Sequence, residues 1–428
     1  MLDIKLIREN SESVKAALGV KGFDGLADID RILELDVNRR AILSELESKK
    51  AEQNKVSKQI PQIKSAGGDV SAVMASMSAL KEHIQEHESR LKQVEDELSS
   101  LMLRIPNMPD EDIPGGGKEN NTVVRQHGEI PVFDFEPKHH VDLCTELGLI
   151  DYQLGAKLSG SGYWVYRGMG ARIEWALLNY FIDTHIADGY ELMLLPHILE
   201  YECGLTAGQF PKFEDEVFKL DNPSDERMRY LLPTAEAALV SVFRNEIVPE
   251  NELPMKFVAY TPCYRREAGS HRAEERGMIR GHQFNKVEMV QFTTPEGGSA
   301  AFDELVAKAE KLVKDLGFHY RTVMLAAGDC SAAMARTFDI EIYIPSMNGY
   351  KEVSSVSTAR CYQSRRGMMR TKRANGKIDY MHVLNGSGLA TSRILPALVE
   401  QNQREDGSVI IPDVLRPYLG GIEIIDNP

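Results

Sequence analysis

Charged and hydroxyl-bearing residues stand at the ends of five apolar, strand-like runs after residue 130. LLPTAE places Thr234, Ala235 and Glu236 behind one run, and KFVAYTPCYRREAG places Arg265, Arg266 and Glu267 behind another. HQFNKVEMV sets Phe284, Lys286 and Glu288 at alternating positions, which share one face of a strand. YKEVSS supplies Glu352, Val353, Ser354 and Ser355; NGSGLATSRILPALVE reads as a glycine-rich turn with Ser387, running into an apolar helix with Arg393. One charge at a strand end is ordinarily a solvated edge residue or half of an ion pair. Five such stretches, mixing carboxylates with arginines, point to a site for a multiply charged ligand.

Arginine offers planar, paired donors that match phosphate oxygens and is always charged. A carboxylate accepts from an amine, such as the adenine amino group or the ammonium of an amino acid. Glutamate with serine offers the hard oxygens that Mg²⁺ prefers, and Mg²⁺ bridges phosphates. Phosphates, a metal and an amine together suggest activation of an amino acid by ATP. The carboxylate then attacks the α-phosphate in line, and catalysis consists mostly of positioning and charge neutralisation.

These residues need a domain to hold them. From about Pro131, helical stretches such as ARIEWALLNYFIDTHIADG mix with short strand-like runs: YELMLLP, RYLLP, MKFVAYTP, KVEMVQFT, HYRTVML and TFDIEIYIP. They do not alternate regularly with helices, so the expected class is α+β around a mainly antiparallel sheet flanked by helices. No GxGxxG follows a strand. GGGK at 115–118 lacks the spacing of a phosphate loop, since Asp112 and Glu119 stand where Gly and Ser or Thr are required.

Residues 28–105 differ in texture, being rich in Lys, Glu, Leu, Ser and Gln. Val73, Met77, Leu80, Ile84, His87, Leu91, Val94, Leu98, Leu101 and Ile105 follow steps of four and three, a heptad seam. Leu35, Ile42, Leu46, Val56, Ile60 and Ile63 fall on a matching seam interrupted by Arg39, Lys49 and Gln53. Gly67 and Gly68 suit a reversal between them. The expectation is an antiparallel helical hairpin reaching about 50 Å at 1.5 Å per residue. Its outer half carries Lys49, Lys50, Lys55, Lys58, Lys64 and Lys81, which suit a phosphate backbone, although lysines on a solvated helix need no partner. The expected organisation is 1–105 for the helical N-terminal domain, 106–130 for a linker rich in Pro, Gly and Asn, and 131–428 for the catalytic domain.

The 428 residues carry a net charge of −14, which argues against indiscriminate nucleic-acid binding but permits a local basic patch. The five cysteines, Cys144, Cys203, Cys263, Cys330 and Cys361, form no CxxC pair, so neither disulfides nor zinc are expected and a reducing cytoplasm is. MLDIKLIREN has no signal-peptide core, and no apolar run approaches membrane-spanning length.

Over essentially its whole length the chain resembles the bacterial-type seryl-tRNA synthetases, which are class II aminoacyl-tRNA synthetases. GYELMLLPHIL resembles the first class II motif, YTPCYRREAGSHRAEERGMIRGHQFNKVEMVQF the second, and NGSGLATSRILPALVEQNQREDGSVIIPDVLRPYLGG the third; TAE at 234–236 matches the serine-binding stretch. The resemblance implies catalytic roles for Arg265 and Arg393. It implies an ATP site of Arg265, Arg266, Glu267, Arg280, Phe284, Glu352, Val353, Ser354, Ser355 and Arg393. Within that site Arg265 meets the α-phosphate, Glu267 the adenine amino group and Arg280 the outer phosphates, and adenine lies between Phe284 and Arg393. Arg266 has the weakest case, because that position need not be basic. Glu352 and Ser355 would hold Mg²⁺. Serine would be bound by Thr234, Ala235, Glu236, Arg265, Glu288 and Ser387. The hairpin, with Lys49, Lys50, Lys55 and Lys58, would clasp the long extra arm of serine tRNA, leaving selenocysteine tRNA as an open second acceptor. A homodimer is implied, with Pro196 in its interface.

Two stretches depart from the family pattern: LTAGQFPKF at 205–213, and STARCYQSRR, where Thr358, Ala359, Arg360, Cys361 and Tyr362 replace the usual residues. They leave open a paralogue of altered selectivity. A non-catalytic relative is disfavoured by the presence of Arg265, Glu267, Glu352 and Arg393, and a carrier-protein ligase by the long arm.

Overall fold

The computed structural model describes residues 1–66, 69–221, 227–267 and 277–426. The reversal expected at Gly67 and Gly68, the Lys64 side chain and the middle of the second motif, 268–276, lie outside the described residues. The chain divides into two compact units: Leu2–Gly19 with Phe23–Pro106, and Met1, Val20–Gly22 and Asn107–Pro428.

The smaller unit is helical. Its two long helices are Leu26–Ser65 and Ser71–Arg104. The heptad seam is where the side chains bury: Leu35, Ile42 and Leu46 on one helix and Leu80, Ile84, Val94, Leu98 and Leu101 on the other are all buried. Burying each such leucine or isoleucine contributes about 1.5–3 kcal/mol. Charges flank the seam across the pair, with Arg31 donating to both oxygens of Glu97 at 2.7 and 3.0 Å. Asp36, 1 % exposed, accepts from Arg8 at 3.1 Å and Arg40 at 3.0 Å, which compensates its burial.

The larger unit is built on an eight-stranded sheet. Across it run Thr122–His127, Tyr320–Met324, Arg336–Ile344, Gly349–Arg360, His382–Ala390, Gln283–Thr293, Met255–Tyr264 and Glu191–Met193. Every neighbouring pair is antiparallel except the last, which is parallel. The α+β, mainly antiparallel expectation holds. Residues 106–130, read as a linker, supply the edge strand Thr122–His127. RYLLP joins a separate three-stranded sheet as Arg229–Leu231.

NGSGLA is not a turn but two thirds of the central strand His382–Ala390. Its glycines serve close packing there. A Cβ on Gly386 would lie 3.2–3.3 Å from Val356 and Leu305, and one on Gly388 would lie 2.8 Å from His185 Nε2. Glycine lets helices press onto the middle of the sheet.

Alternation along the strands separates the two faces. Val287 and Met289 join the main core with Ile173, Leu177 and Phe181 from helix Gly168–Ala187, Leu305 and Val306 from Gly298–Asp315, and Ile394 and Leu395 from Thr391–Gln401. Val290 and Phe292 point the other way, into a smaller cluster with Phe257, Ala259 and Val383. On that second face, beyond the apolar cluster, lie Phe284, Lys286 and Glu288.

A strap holds one wall above this face. Asn107 Nδ2 donates to the carbonyls of Ala333 and Ala359, each at 3.0 Å. Lys21, buried, donates to the carbonyls of Ser331 at 2.9 Å and Met334 at 2.6 Å. Burial pulls its pKa down to about 8.

Candidate active site

The second face opens into a cleft of about 410 Å³ that meets a smaller recess of about 90 Å³. Arg265, Glu267, Arg280, Lys286, Glu352 and Ser387 line both. Thr234, Glu236, Glu288, Ser355, Ser357 and Asn385 line the larger space; Phe284, Val353 and Arg393 line the smaller. The stretches that the sequence singled out therefore converge.

Strand register explains the convergence. Glu288 faces Ser387 and Ala259 on its two neighbours, and Ser357 faces Asn385. Glu352 and Ser355, three apart, would occupy opposite faces of a regular strand. The pairing slips between Ile340 and Glu341, so that Ser354 opposes Ile340 while Glu352 opposes Glu341. This bulge at Val353 returns Glu352 to the face of Ser355 and Ser357. A second slip sets Lys286 opposite Ala390 while Glu288 stays opposite Ser387; Leu389 there has a φ of 80°. The strand thereby bends into helix Thr391–Gln401 with Arg393 at the recess.

At the floor of the larger space Thr234 is a hub. Its hydroxyl donates to Glu288 Oε2 at 3.2 Å and accepts from Lys286 Nζ at 2.8 Å and the Glu236 amide at 3.2 Å. Lys286 also pairs with Glu288 Oε2. Lys286, Glu288 and Thr234 are 7 %, 2 % and 4 % exposed, so this is a buried, nearly saturated network. Glu236 Oε1 accepts from Gln363 at 2.9 Å and Asn385 at 2.8 Å. Burial, and then the nearby Glu288 charge, push its carboxyl up to about 7. Small polar groups and carboxylates at this end suit a small ligand bearing a hydroxyl and an ammonium.

The other end suits phosphates and a flat ring. Arg265 stacks on Phe284, 5.1 Å from the ring centroid, and donates to the Pro233 carbonyl at 3.3 Å. Arg280 donates to Glu267 at 2.6 Å, and Glu267 itself has a φ of 49°, a left-handed conformation costly for a non-glycine residue. Arg393 donates to the Glu352 carbonyl at 2.6 Å and lies 3.5 Å from its carboxylate. Glu352 is 43 % exposed and Ser355 lines the same wall. Behind them Asp339, opposite Ser355, keeps Oδ1 buried with no partner among the described residues. This wall of hard oxygens fits Mg²⁺.

Three expected residues are not brought into the cleft. Arg266 alternates outward, is exposed, and donates to the Asp215 carbonyl at 2.9 Å. Ser354 sits on the core side of the bulge, where its hydroxyl donates to the Ser387 carbonyl at 2.6 Å. Ala235 is fully buried in the small apolar cluster. Of the arm lysines, Lys49 lies in the seam and pairs with Glu52 at 3.3 Å, and Lys50 pairs with Glu88 at 2.7 Å. Lys55 and Lys58 are exposed.

Other cleft-supporting residues carried no sequence signal. Gln363 and Asn385 fix Glu236 from distant segments. Glu174, whose carboxyl burial pushes up to about 7, accepts from Asn285 at 2.7 Å and Thr391 at 2.5 Å, tying the Lys286 strand to the Arg393 helix. Of the two departing stretches, Ala207, Gly208, Gln209 and Phe213 line the cleft, whereas residues 358–362 do not. Arg360 turns to Asp110 at 2.7 Å.

Comparisons with known proteins agree with this layout. Residues 1–109 match the family described as "Seryl-tRNA synthetase N-terminal domain", and residues 218–402 match "tRNA synthetase class II core domain (G, H, P, S and T)". The chain is 57% identical over 423 residues to "Serine--tRNA ligase 2" of Clostridium acetobutylicum, covering 98% of this chain and 99% of that protein. It is 43% identical to the "Serine--tRNA ligase" of Thermodesulfovibrio yellowstonii, covering 99% of this chain and all of the other. The crystal structure of seryl-tRNA synthetase from Pyrococcus horikoshii complexed with ATP superposes with a TM-score of 0.92 at 31% identity, covering 100% of both chains.

Proposed function

The chain belongs to the seryl-tRNA synthetases, and from that membership we propose how its cleft joins L-serine to ATP and passes the seryl group to the 3′ end of serine tRNA. The observation that carries the reading is the meeting of two chemically different ends in one continuous space. Thr234, Glu236, Glu288 and Ser387 take serine, and Arg265, Glu267, Arg280, Phe284 and Arg393 take the nucleotide. Glu267 and Arg280 part from one another, one for the adenine amino group and one for the outer phosphates. Arg265, at the junction, neutralises charge where the serine carboxylate meets the α-phosphorus. A carboxylate oxygen bonds that phosphorus as its bond to the pyrophosphate oxygen breaks. The tRNA hydroxyl then attacks the seryl carbonyl and AMP leaves. Glu352 and Ser355 would hold Mg²⁺, which supplies charge neutralisation on the phosphates. A pocket built to bond a hydroxyl rejects alanine and glycine, which leave its polar groups unpaired.

Serine-dependent exchange of labelled pyrophosphate into ATP tests the activity without tRNA. Exchange with serine and not with alanine or glycine is expected; exchange that prefers alanine or glycine would overturn the substrate assignment.

The helical unit serves as the tRNA-binding arm, with Lys55 and Lys58 the better-placed phosphate contacts. The protein acts as a homodimer in the cytoplasm. Trp175, Leu192, Leu194 and Ile198 expose 39–83% of their surface around the first motif and Pro196, an apolar patch suited to a second copy. Sedimentation should give twice the 47.9 kDa chain mass, and Leu194→Glu should shift it towards the monomer. No helix is long and apolar enough to cross a membrane among the described residues.

A further inference from the structure

Lys286 has no place in the scheme above, yet it is the most buried cation lining the cleft and it borders both spaces. Its ammonium sits on Glu288 and on the Thr234 hydroxyl, at 2.8 Å from the latter. Both are acceptors that the proposed function gives to serine. Two ammonium groups cannot share one carboxylate oxygen and one hydroxyl at hydrogen-bond distance without strong repulsion. When the ammonium of serine arrives, Lys286 must therefore leave at least one of these partners. It cannot retreat behind the sheet, where Val287 and Met289 pack in the apolar core. The open direction is along the cleft, towards Ser387, Glu352 and Arg265 at the junction.

We propose that Lys286 is a two-position catalytic cation: it rests on Glu288 and Thr234 until serine's ammonium displaces it, then turns to the junction and neutralises the carboxylate and α-phosphate as they join. The proposal rests on the serine-activating reading above. It adds a substrate-driven switch to that reading: only a ligand with an ammonium group frees the charge that the reaction needs. The balance of the step is unchanged. One C–O–P linkage forms, one P–O bond to pyrophosphate breaks with its electrons leaving on pyrophosphate, and no proton passes through Lys286. Arg265 remains fixed to the Phe284 ring and the Pro233 carbonyl, so the two cations divide the work, one static and one moving.

The test compares full-length wild type with Lys286→Met and Lys286→Arg in pyrophosphate exchange, together with inhibition by serinol, which keeps the ammonium and hydroxyl of serine but lacks its carboxylate. Lys286→Met should lower kcat about 100-fold, the scale for losing one preorganised transition-state donor, with KM for ATP changed less than about threefold. Lys286→Arg should recover at least about a tenth of the lost rate, because it keeps the charge. Serinol should inhibit Lys286→Met at a several-fold lower concentration than wild type, since its ammonium no longer competes with a resident one. ATP binding by calorimetry establishes that each variant is folded. If wild type exchanges with serine but Lys286→Met keeps kcat within about threefold, or serinol binds it no tighter, the two-position cation is wrong. If Lys286→Arg is as slow as Lys286→Met, charge is not its contribution and the proposal falls. Failure of wild type itself to exchange with serine would instead sink the underlying functional reading.

Discussion

At the scale of single residues the cleft floor is governed by two carboxylates and one ammonium. Glu236 ionises near pH 7 because burial and Glu288 oppose its charge. The ionised form that would meet serine's ammonium under the proposed function is lost as pH falls below that value. We expect kcat/KM for serine to drop about tenfold per pH unit below 7, since kcat/KM reports groups on the free enzyme. Glu236→Gln should give a lower and flat profile; an unchanged slope in that variant would place the titration elsewhere. If Glu352 and Ser355 hold Mg²⁺ as proposed, Glu352→Gln should raise the Mg²⁺ concentration for half-maximal exchange by about tenfold or more, measured at fixed ATP. The alternation of Phe284, Lys286 and Glu288 was legible because a period of two needs no tertiary information. Gln363 and Asn385 were not, because uncharged amides far apart in the chain announce nothing until Glu236 lies between them.

At the scale of elements, seams and strands read well where periodicity is regular and badly where it breaks. The heptad seam buries as its pattern requires at Leu35, Ile42, Leu46, Leu80, Ile84, Val94, Leu98 and Leu101, whereas Val56, Ile60, Ile63, Val73 and Met77 are only half-buried. The bulge at Val353 left no mark in YKEVSS, yet without it Glu352 and Ser355 would face opposite ways. NGSG misled for a physical reason: glycine clusters usually signal turns, and here they relieve packing under His185 and Leu305. Gly388→Ala should therefore cost about 1–3 kcal/mol, the usual penalty for overpacking, because its new Cβ falls 2.8 Å from His185 Nε2. Chemical denaturation of the full chain checks this, and an unchanged midpoint would mean that the histidine simply moves aside.

At the scale of the whole molecule, the proposed function gives activation and tRNA recognition to different units. Internal deletion of residues 35–100 should leave pyrophosphate exchange within about twofold and abolish aminoacylation of serine tRNA. Lys55→Glu with Lys58→Glu should weaken aminoacylation more at low salt than at high, flatten its salt dependence and leave exchange alone, as loss of phosphate contacts requires. The change of texture near residue 105 was plain in composition. That Val20–Gly22 belongs with the later residues was not, since a lysine between two helices gives no hint of which carbonyls it will reach. That small return of the chain decides how the molecule tolerates genetic scissors. A protein begun at Asn107 keeps every group in the cleft but strands the carbonyls of Ser331 and Met334, whose buried donor was Lys21. The amputated enzyme would carry a slack wall beside its substrate, whereas trimming the hairpin from its tip would leave that wall taut.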